Sequence, residues 1–159
     1  MSILETRLAA WPDEAACAAC AARLASHPAL ADAFVELHGP LGAGKTTFAR
    51  HLLHALGVTG AIKSPTYALM EPYTAGAGAG GFAIGHFDFY RFDDPNEWED
   101  AGFREVFADP GLKLVEWPEK AAALLPRCDL RVWITPHEGS DARQVRFEAM
   151  SAAGRELLP

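Results

Sequence analysis

The sequence predicts an α/β fold in three layers, with helices flanking a mixed, mostly parallel central sheet. Three observations carry that expectation. The short apolar run Phe34–His38 leads through a glycine-rich turn directly into a helical pattern. A second apolar run, Leu112–Glu116, reads as another buried strand and ends in a carboxylate. Half of the 159 residues are hydrophobic, with glycine and proline spread along the chain, the composition of an ordered globular fold. One domain spanning residues 1–159 is expected, long enough to bury roughly 70% of its unfolded surface.

Each element has a local reason. Ile3–Leu8 alternates weakly and reads as a first edge strand. Pro12 stands at the first position of a helix that runs to about Ser26. After Phe34–His38 comes Gly39-Pro40-Leu41-Gly42-Ala43-Gly44-Lys45-Thr46, a full match to the pattern G-x-x-x-x-G-K-[ST] of a phosphate-binding loop. Gly39 and Gly44 permit backbone conformations that turn successive N–H groups toward one anion. The following helix carries Phe48, Leu52, Leu53 and Leu56 at helical spacing and stops at Gly57.

Lys63-Ser64-Pro65-Thr66-Tyr67 is a turn followed by extended chain, because Pro65 disfavours helix at itself and at Ser64. Tyr67–Tyr73 and Phe82–Tyr90 are extended runs separated by the flexible hairpin loop Thr74–Gly81. That tract lacks lysine and opens no helix, so it is not a second phosphate site. Asp93–Phe107 holds one or two short helices starting at Asp94-Pro95, and Pro118–Leu125 holds another. Leu130–Thr135 and Gln144–Met150 are late strands, and Ser151–Leu158 closes the chain as a helix.

The loop's chemistry is that of a nucleotide triphosphate. A helix N-terminus offers unpaired N–H donors and about half a positive charge. Lys45 brings a compact cation to the β- and γ-phosphates, and the Thr46 hydroxyl is placed to ligate Mg²⁺. The ATP-binding candidates are therefore Gly39, Pro40, Leu41, Gly42, Ala43, Gly44, Lys45, Thr46 and Thr47. A Mg²⁺-nucleotide site also needs hard oxygen ligands and a group that positions water. Strand periodicity puts His86, Asp88 and Tyr90 on one face, with Phe87 and Phe89 on the other. Asp88 between aromatics needs a cation or donors to satisfy it; an ion pair with Arg91 or a turn cap is the plain alternative. His86 alone is no metal site and reads as structural. Glu116, at the end of an apolar strand, stands where hydrolases hold Mg²⁺ or orient the nucleophile. Asp88, Glu116 and Thr66 are the catalytic candidates, Thr46, Glu116 and Asp88 the metal candidates. Ser64 and Thr66 fit a switch-like segment sensing the γ-phosphate. Trp117 reads as core or as a partner contact.

The charge balance limits the function classes. There are 21 acidic against 14 basic residues, a net charge of −7, which opposes autonomous binding of DNA or RNA. No stretch has transmembrane length, and the opening residues lack the pattern of a signal peptide, so a cytoplasmic protein without a membrane partner is expected. Three cysteines imply no disulfide framework. Cys17 and Cys20 sit in an Ala-rich helical stretch and read as small packing residues.

Four segments taken together, Gly39–Thr46, Ser64-Pro65-Thr66-Tyr67, His86-Phe87-Asp88-Phe89-Tyr90-Arg91 and Glu116-Trp117-Pro118-Glu119-Lys120, resemble the TsaE (YjeE) family of small bacterial ATPases. The resemblance spans nearly the whole chain. It implies a P-loop NTPase fold, the cofactors ATP and Mg²⁺, and ATP hydrolysis that supports threonylcarbamoyladenosine synthesis on tRNA. The implied partners are TsaB and TsaD, with tRNA reached only through their complex. Under it, Lys45 and Thr46 contact phosphate and Mg²⁺, Ser64 and Thr66 form the switch, and Asp88 and Glu116 are required for hydrolysis. Trp98 stands where an aliphatic residue is expected.

The main rival is a small P-loop kinase that phosphorylates a metabolite. Such an enzyme needs a lid of clustered arginines, and here the arginines are scattered along the chain. A GTPase lacks support because no Asn-Lys-x-Asp segment occurs. A nucleotide-gated binding module is a further reading that the sequence does not separate from the first.

Overall fold

The computed structural model describes residues 2–63, 65 and 69–159. Strands β1 (Glu5–Trp11), β2 (Phe34–His38), β3 (Met70–Thr74), β4 (Ala83–Asp88), β5 (Leu112–Glu116), β6 (Leu130–Pro136) and β7 (Arg143–Ala149) form one sheet in the order β1-β7-β6-β2-β5-β4-β3. The helices are α1 (Glu14–Ala25), α2 (Lys45–Ala55), α3 (Pro95–Asp100), α4 (Phe103–Ala108) and α5 (Ala152–Glu156).

The expectation of a mostly parallel sheet needs correction. Three pairings are parallel, β6–β2, β2–β5 and β5–β4. Three are antiparallel, β1–β7, β6–β7 and β3–β4. For two of the antiparallel pairs the cause is connection length. β3–β4 and β6–β7 are joined by short loops, which close only antiparallel pairs, whereas a parallel pair needs a long crossover. The parallel strands therefore occupy the middle, and the antiparallel ones extend both sides.

Apolar side chains alternate between the two faces as strand periodicity requires. Val35, Leu112, Leu114, Ile84, Leu130 and Val132 pack under α1 and α2, against Cys17, Leu24, Phe48, Leu52 and Leu53. Phe34, Phe87 and Val115 face the opposite way, onto Phe89, Trp98 and Phe103 from α3, α4 and their approach. Helices on both faces make the three layers. Each fully buried Phe or Leu of these cores contributes about 1.5–3 kcal/mol relative to exposure. Trp98, only 3% exposed, stacks on Phe107 with centroids 5.4 Å apart. A larger side chain is accommodated there because the pocket is built of other aromatics.

Several boundaries move for identifiable reasons. β1 runs to Trp11 rather than ending at Leu8, because its ladder with β7 continues to the Trp11–Arg143 pair. Pro12 consequently lies ahead of α1, and Asp13 caps the helix by accepting the Ala16 N–H at 2.9 Å. Residues 118–125 hold only a 3₁₀ turn, Pro118–Ala121. Pro126 disfavours helix at Leu125 and limits its growth. The loop expected to be flexible contains a 3₁₀ turn, Ala77–Ala79, and is pinned by the Gly76 N–H donating to the Leu56 carbonyl at 2.8 Å. Cys17, Cys20 and Cys128 are buried free thiols, and burial pushes those of Cys17 and Cys128 up to about 12.

Asp129 ties the start of β2 to the end of β7 at one edge of the sheet. Its carboxylate accepts the Phe34 N–H at 2.8 Å and the Ser151 hydroxyl at 2.7 Å, beside the N-terminus of α5. Gly154 in α5 packs directly on the Asp129 carbonyl, where an added Cβ has no room. Gly154→Ala is expected to destabilise the protein by about 1–3 kcal/mol through overpacking. Urea unfolding checks this as a lower midpoint at unchanged slope.

Candidate functional site

The glycine-rich loop, Glu116 and Asp88 converge at the C-terminal ends of β2, β5 and β4. These parallel strands all finish at one edge, the usual place for a ligand in an open α/β sheet. Asp88 and Glu116 are register partners, each the last residue of its strand. A cleft of about 650 Å³ opens there, lined by the loop from Leu41 to Thr47 together with Asp88, Glu116, Trp117 and Arg143.

The loop geometry follows from its glycines. Gly39 has φ +148° and rests on the Ile134 carbonyl of β6, so a side chain there would collide with backbone. Gly44 has φ +108° and forms the N-cap of α2, turning the chain into the helix. Lys45 is buried and donates from Nζ to the carbonyls of Gly39 and Pro40. The same ammonium lies 3.7 Å from the centroid of the Trp117 ring, a cation–π contact. Burial pushes the Lys45 pKa down, opposed by the carboxylates of Glu116, Glu119 and Asp88.

Glu116 is 2% exposed, and both of its oxygens have partners. The Thr46 hydroxyl donates to Oε1 at 2.8 Å, and His86 Nε2 bonds Oε2 at 2.6 Å. Asp88 is half-buried and accepts the Tyr90 N–H at 2.9 Å, the turn-cap arrangement. Burial raises its pKa; the Tyr90 bond opposes the shift, and the Glu116 charge adds to it. No ion pair joins Asp88 to Arg91 among the described residues.

Lys45, Thr46, Asp88 and Glu116 are therefore brought to one place. Gly42, Ala43, Gly44 and Thr47 line the same cleft with the exposed Leu41, while Gly39 and Pro40 lie at its back as acceptors for Lys45. Ser64 and Thr66, the switch-like pair, lie outside the described residues, as does the catalytic expectation on Thr66. Trp117 adopts a left-handed backbone with φ +56°; its ring lies over Lys45 and also packs against the core of Phe87, Phe89 and Phe103. Two participants escaped the sequence reading. Arg143, at the start of β7, donates from Nε to the Ala43 carbonyl at 2.7 Å and lines the cleft with Arg91. Nothing local marks it, since the contact spans 100 residues. His86 was legible as a face partner of Asp88 but not as a partner of Glu116.

Among the described residues no three His, Cys, Asp or Glu side chains gather as a metal cage. The hard oxygens of Thr46, Glu116 and Asp88 nonetheless suit Mg²⁺, which keeps waters and phosphate oxygens and needs only one or two protein ligands. No helix among the described residues is long and apolar enough to cross a membrane. The raised pKa of Asp88 carries a stability consequence. Folding favours its protonated form, so the contribution is present at low pH and lost as pH rises past the ordinary value of 3.8 toward the higher folded value. Asp88→Asn is expected to raise the thermal midpoint at pH 7 without added nucleotide or metal. The gap from the unaltered protein should close as pH falls below 3.8, measured by calorimetry across pH.

Comparison with known proteins agrees with this architecture. A family model described as threonylcarbamoyl adenosine biosynthesis protein TsaE matches residues 11–145. The tRNA threonylcarbamoyladenosine biosynthesis protein TsaE of Haemophilus influenzae is 41% identical over 124 residues, covering 78% of this chain and 75% of that protein. The protein of the same name from Bacillus subtilis is 36% identical over 116 residues, covering 73% and 69%. The crystal structure of Bacillus subtilis YdiB superposes with a TM-score of 0.76 at 26% identity, covering 99% of this chain and 94% of that one. With a matched model spanning most of its length and relatives above one-third identity, the chain belongs to the TsaE family.

Proposed function

We propose that the chain is a P-loop NTPase that binds and hydrolyses Mg²⁺·ATP, and that it supports threonylcarbamoyladenosine modification of tRNA in the cytoplasm through the TsaB and TsaD proteins. The observation that carries the reading is the meeting of Thr46 with Glu116 at 2.8 Å, at the mouth of a glycine-rich helix start, with Asp88 beside them. Those are the oxygen types a Mg²⁺-triphosphate site uses, at the end of a loop shaped for phosphate. The family's name supports the tRNA-modification setting. The net charge of −7 suits a protein that meets tRNA through its partners.

In this reading the N–H groups leading into α2 and the Lys45 ammonium hold the β- and γ-phosphates. Lys45 exchanges its contacts with the Gly39 and Pro40 carbonyls for phosphate oxygens, which are stronger, charge-assisted acceptors. The Thr46 hydroxyl, with Asp88 and Glu116 nearby, holds the metal side of the nucleotide. Held by Thr46 with Asp88 and Glu116, Mg²⁺ would supply charge neutralisation to the triphosphate. The Glu116 carboxylate, released from Thr46, orients the attacking water toward the γ-phosphorus. Ser64 and Thr66 serve as the segment that reports the γ-phosphate.

ATP turnover by the pure protein, then with TsaB and TsaD, then with small acceptors, tests the assignment. Slow hydrolysis alone and faster hydrolysis with TsaB and TsaD is the expected result. A phosphorylated small molecule as the obligatory product overturns it in favour of a kinase. Lys45→Ala should weaken ATP binding roughly 10- to 150-fold, the loss of one charged hydrogen bond worth about 1.5–3 kcal/mol. Glu116→Ala should lower kcat by about 10²-fold or more with binding retained. Equilibrium nucleotide titration and single-turnover kinetics separate the two effects.

A further inference from the structure

His86 is fully buried, 0% exposed, on β4, and its only partner among the described residues is the carboxylate of Glu116. A carboxylate offers acceptors alone, so Nε2 carries the hydrogen and donates at 2.6 Å. Its other nitrogen, Nδ1, is buried with no hydrogen-bond partner among the described residues. A buried polar atom without a partner costs stability, on the order of 1–3 kcal/mol. An apolar residue at this position would avoid that cost if packing were the only requirement. The Nε2 contact is the one polar interaction that sets the histidine apart from such a residue.

The placement gives that contact a direction. Glu116 Oε2 is bonded to His86 inside the sheet, whereas Oε1 faces Thr46 at the cleft. One oxygen is anchored beneath the site and the other is presented to it. An unanchored carboxylate rotates about its last torsion, which is broad and nearly two-fold, so its oxygens would exchange places. We propose that His86 is a positioning residue that locks the Glu116 carboxylate by holding Oε2, leaving Oε1 fixed at the Thr46 edge of the cleft. The inference rests on the reading of the cleft as an ATP-hydrolysing site. His86 touches neither phosphate nor water; it acts through Glu116. Partners of this kind typically change activity or metal affinity by about 10- to 100-fold when removed.

The test compares His86→Met with His86→Gln, two side chains of similar volume of which only glutamine can donate to Oε2. His86→Met should lower kcat by about 10-fold or more, with affinity for Mg²⁺·AMP-PNP within about threefold of the unaltered protein. His86→Gln should recover most of the rate. In a Glu116→Gln background, His86→Met should produce little further loss, because the two changes act on one group. A readout independent of turnover is the proton signal of His86 Nε2–H in the nucleotide-free protein, slow to exchange and shifted by Glu116→Gln. Unaltered hydrolysis in His86→Met overturns the proposal, as does an equal loss in both variants that tracks their thermal midpoints. Failure of the unaltered protein to hydrolyse ATP overturns the reading of the cleft instead, and is seen before any variant is made.

Discussion

A buried carboxylate is the constraint around which the site is arranged. Glu116 is taken almost wholly out of water, and an ionised group in that position must be met by donors on both oxygens. The donors come from different elements: His86 from β4 and Thr46 from the first turn of α2. Satisfying one charge thus sets how β4 lies beside β5 and where α2 begins. The Asp88–Glu116 register and the sharp turn at Gly44 are the backbone conditions for that meeting. Arg143 adds a further tie, bracing the loop at Ala43 from the start of β7.

The same arrangement concentrates electrostatic cost at the working end of the molecule. Lys45 is desolvated and Asp88 is partly so, and burial shifts each pKa against the charged form. Away from the cleft, two buried or half-buried polar side chains have their partners close at hand in space. Lys113, near the start of β5, directs its ammonium to the carbonyls of Asp109 and Gly111. Asp129 likewise has its oxygens occupied by Phe34 and Ser151. Strain and desolvation gathered at one cleft, with satisfied groups around it, is the pattern of a site kept at some expense in stability.

Much of this was readable in the sequence because it is encoded over short distances. The β2 strand, the loop and α2 have local signatures in apolar spacing, glycine placement and the Lys-Thr pair, and they occur where those signals put them. The placement of Phe87 and Phe89 opposite His86 followed from strand periodicity alone. What was not readable depends on partners distant in the chain. The length of β1 is set by β7, and Arg143 reaches a loop 100 residues away. The balance of parallel and antiparallel pairs departs from the expectation although β3–β4 and β6–β7 follow one another closely in the sequence. Their short connections already dictated antiparallel pairing at both sides of the sheet. His86 was undervalued because a lone histidine in a strand carries no signal of what stands beside it on the next one.

The distribution of tryptophans has an optical consequence. Trp11 lies in the core beneath α1 and α2, stacked on Phe48 at 5.2 Å, and Trp98 lies in the opposite core against Phe107. Each face of the sheet therefore contains its own deeply buried indole, 4% and 3% exposed. Ring pairs held this rigidly give strong near-ultraviolet dichroism that vanishes when packing loosens. Each layer thus carries its own intrinsic chromophore, and a form that keeps Trp11 or Trp98 as its one tryptophan would report the packing of a single face.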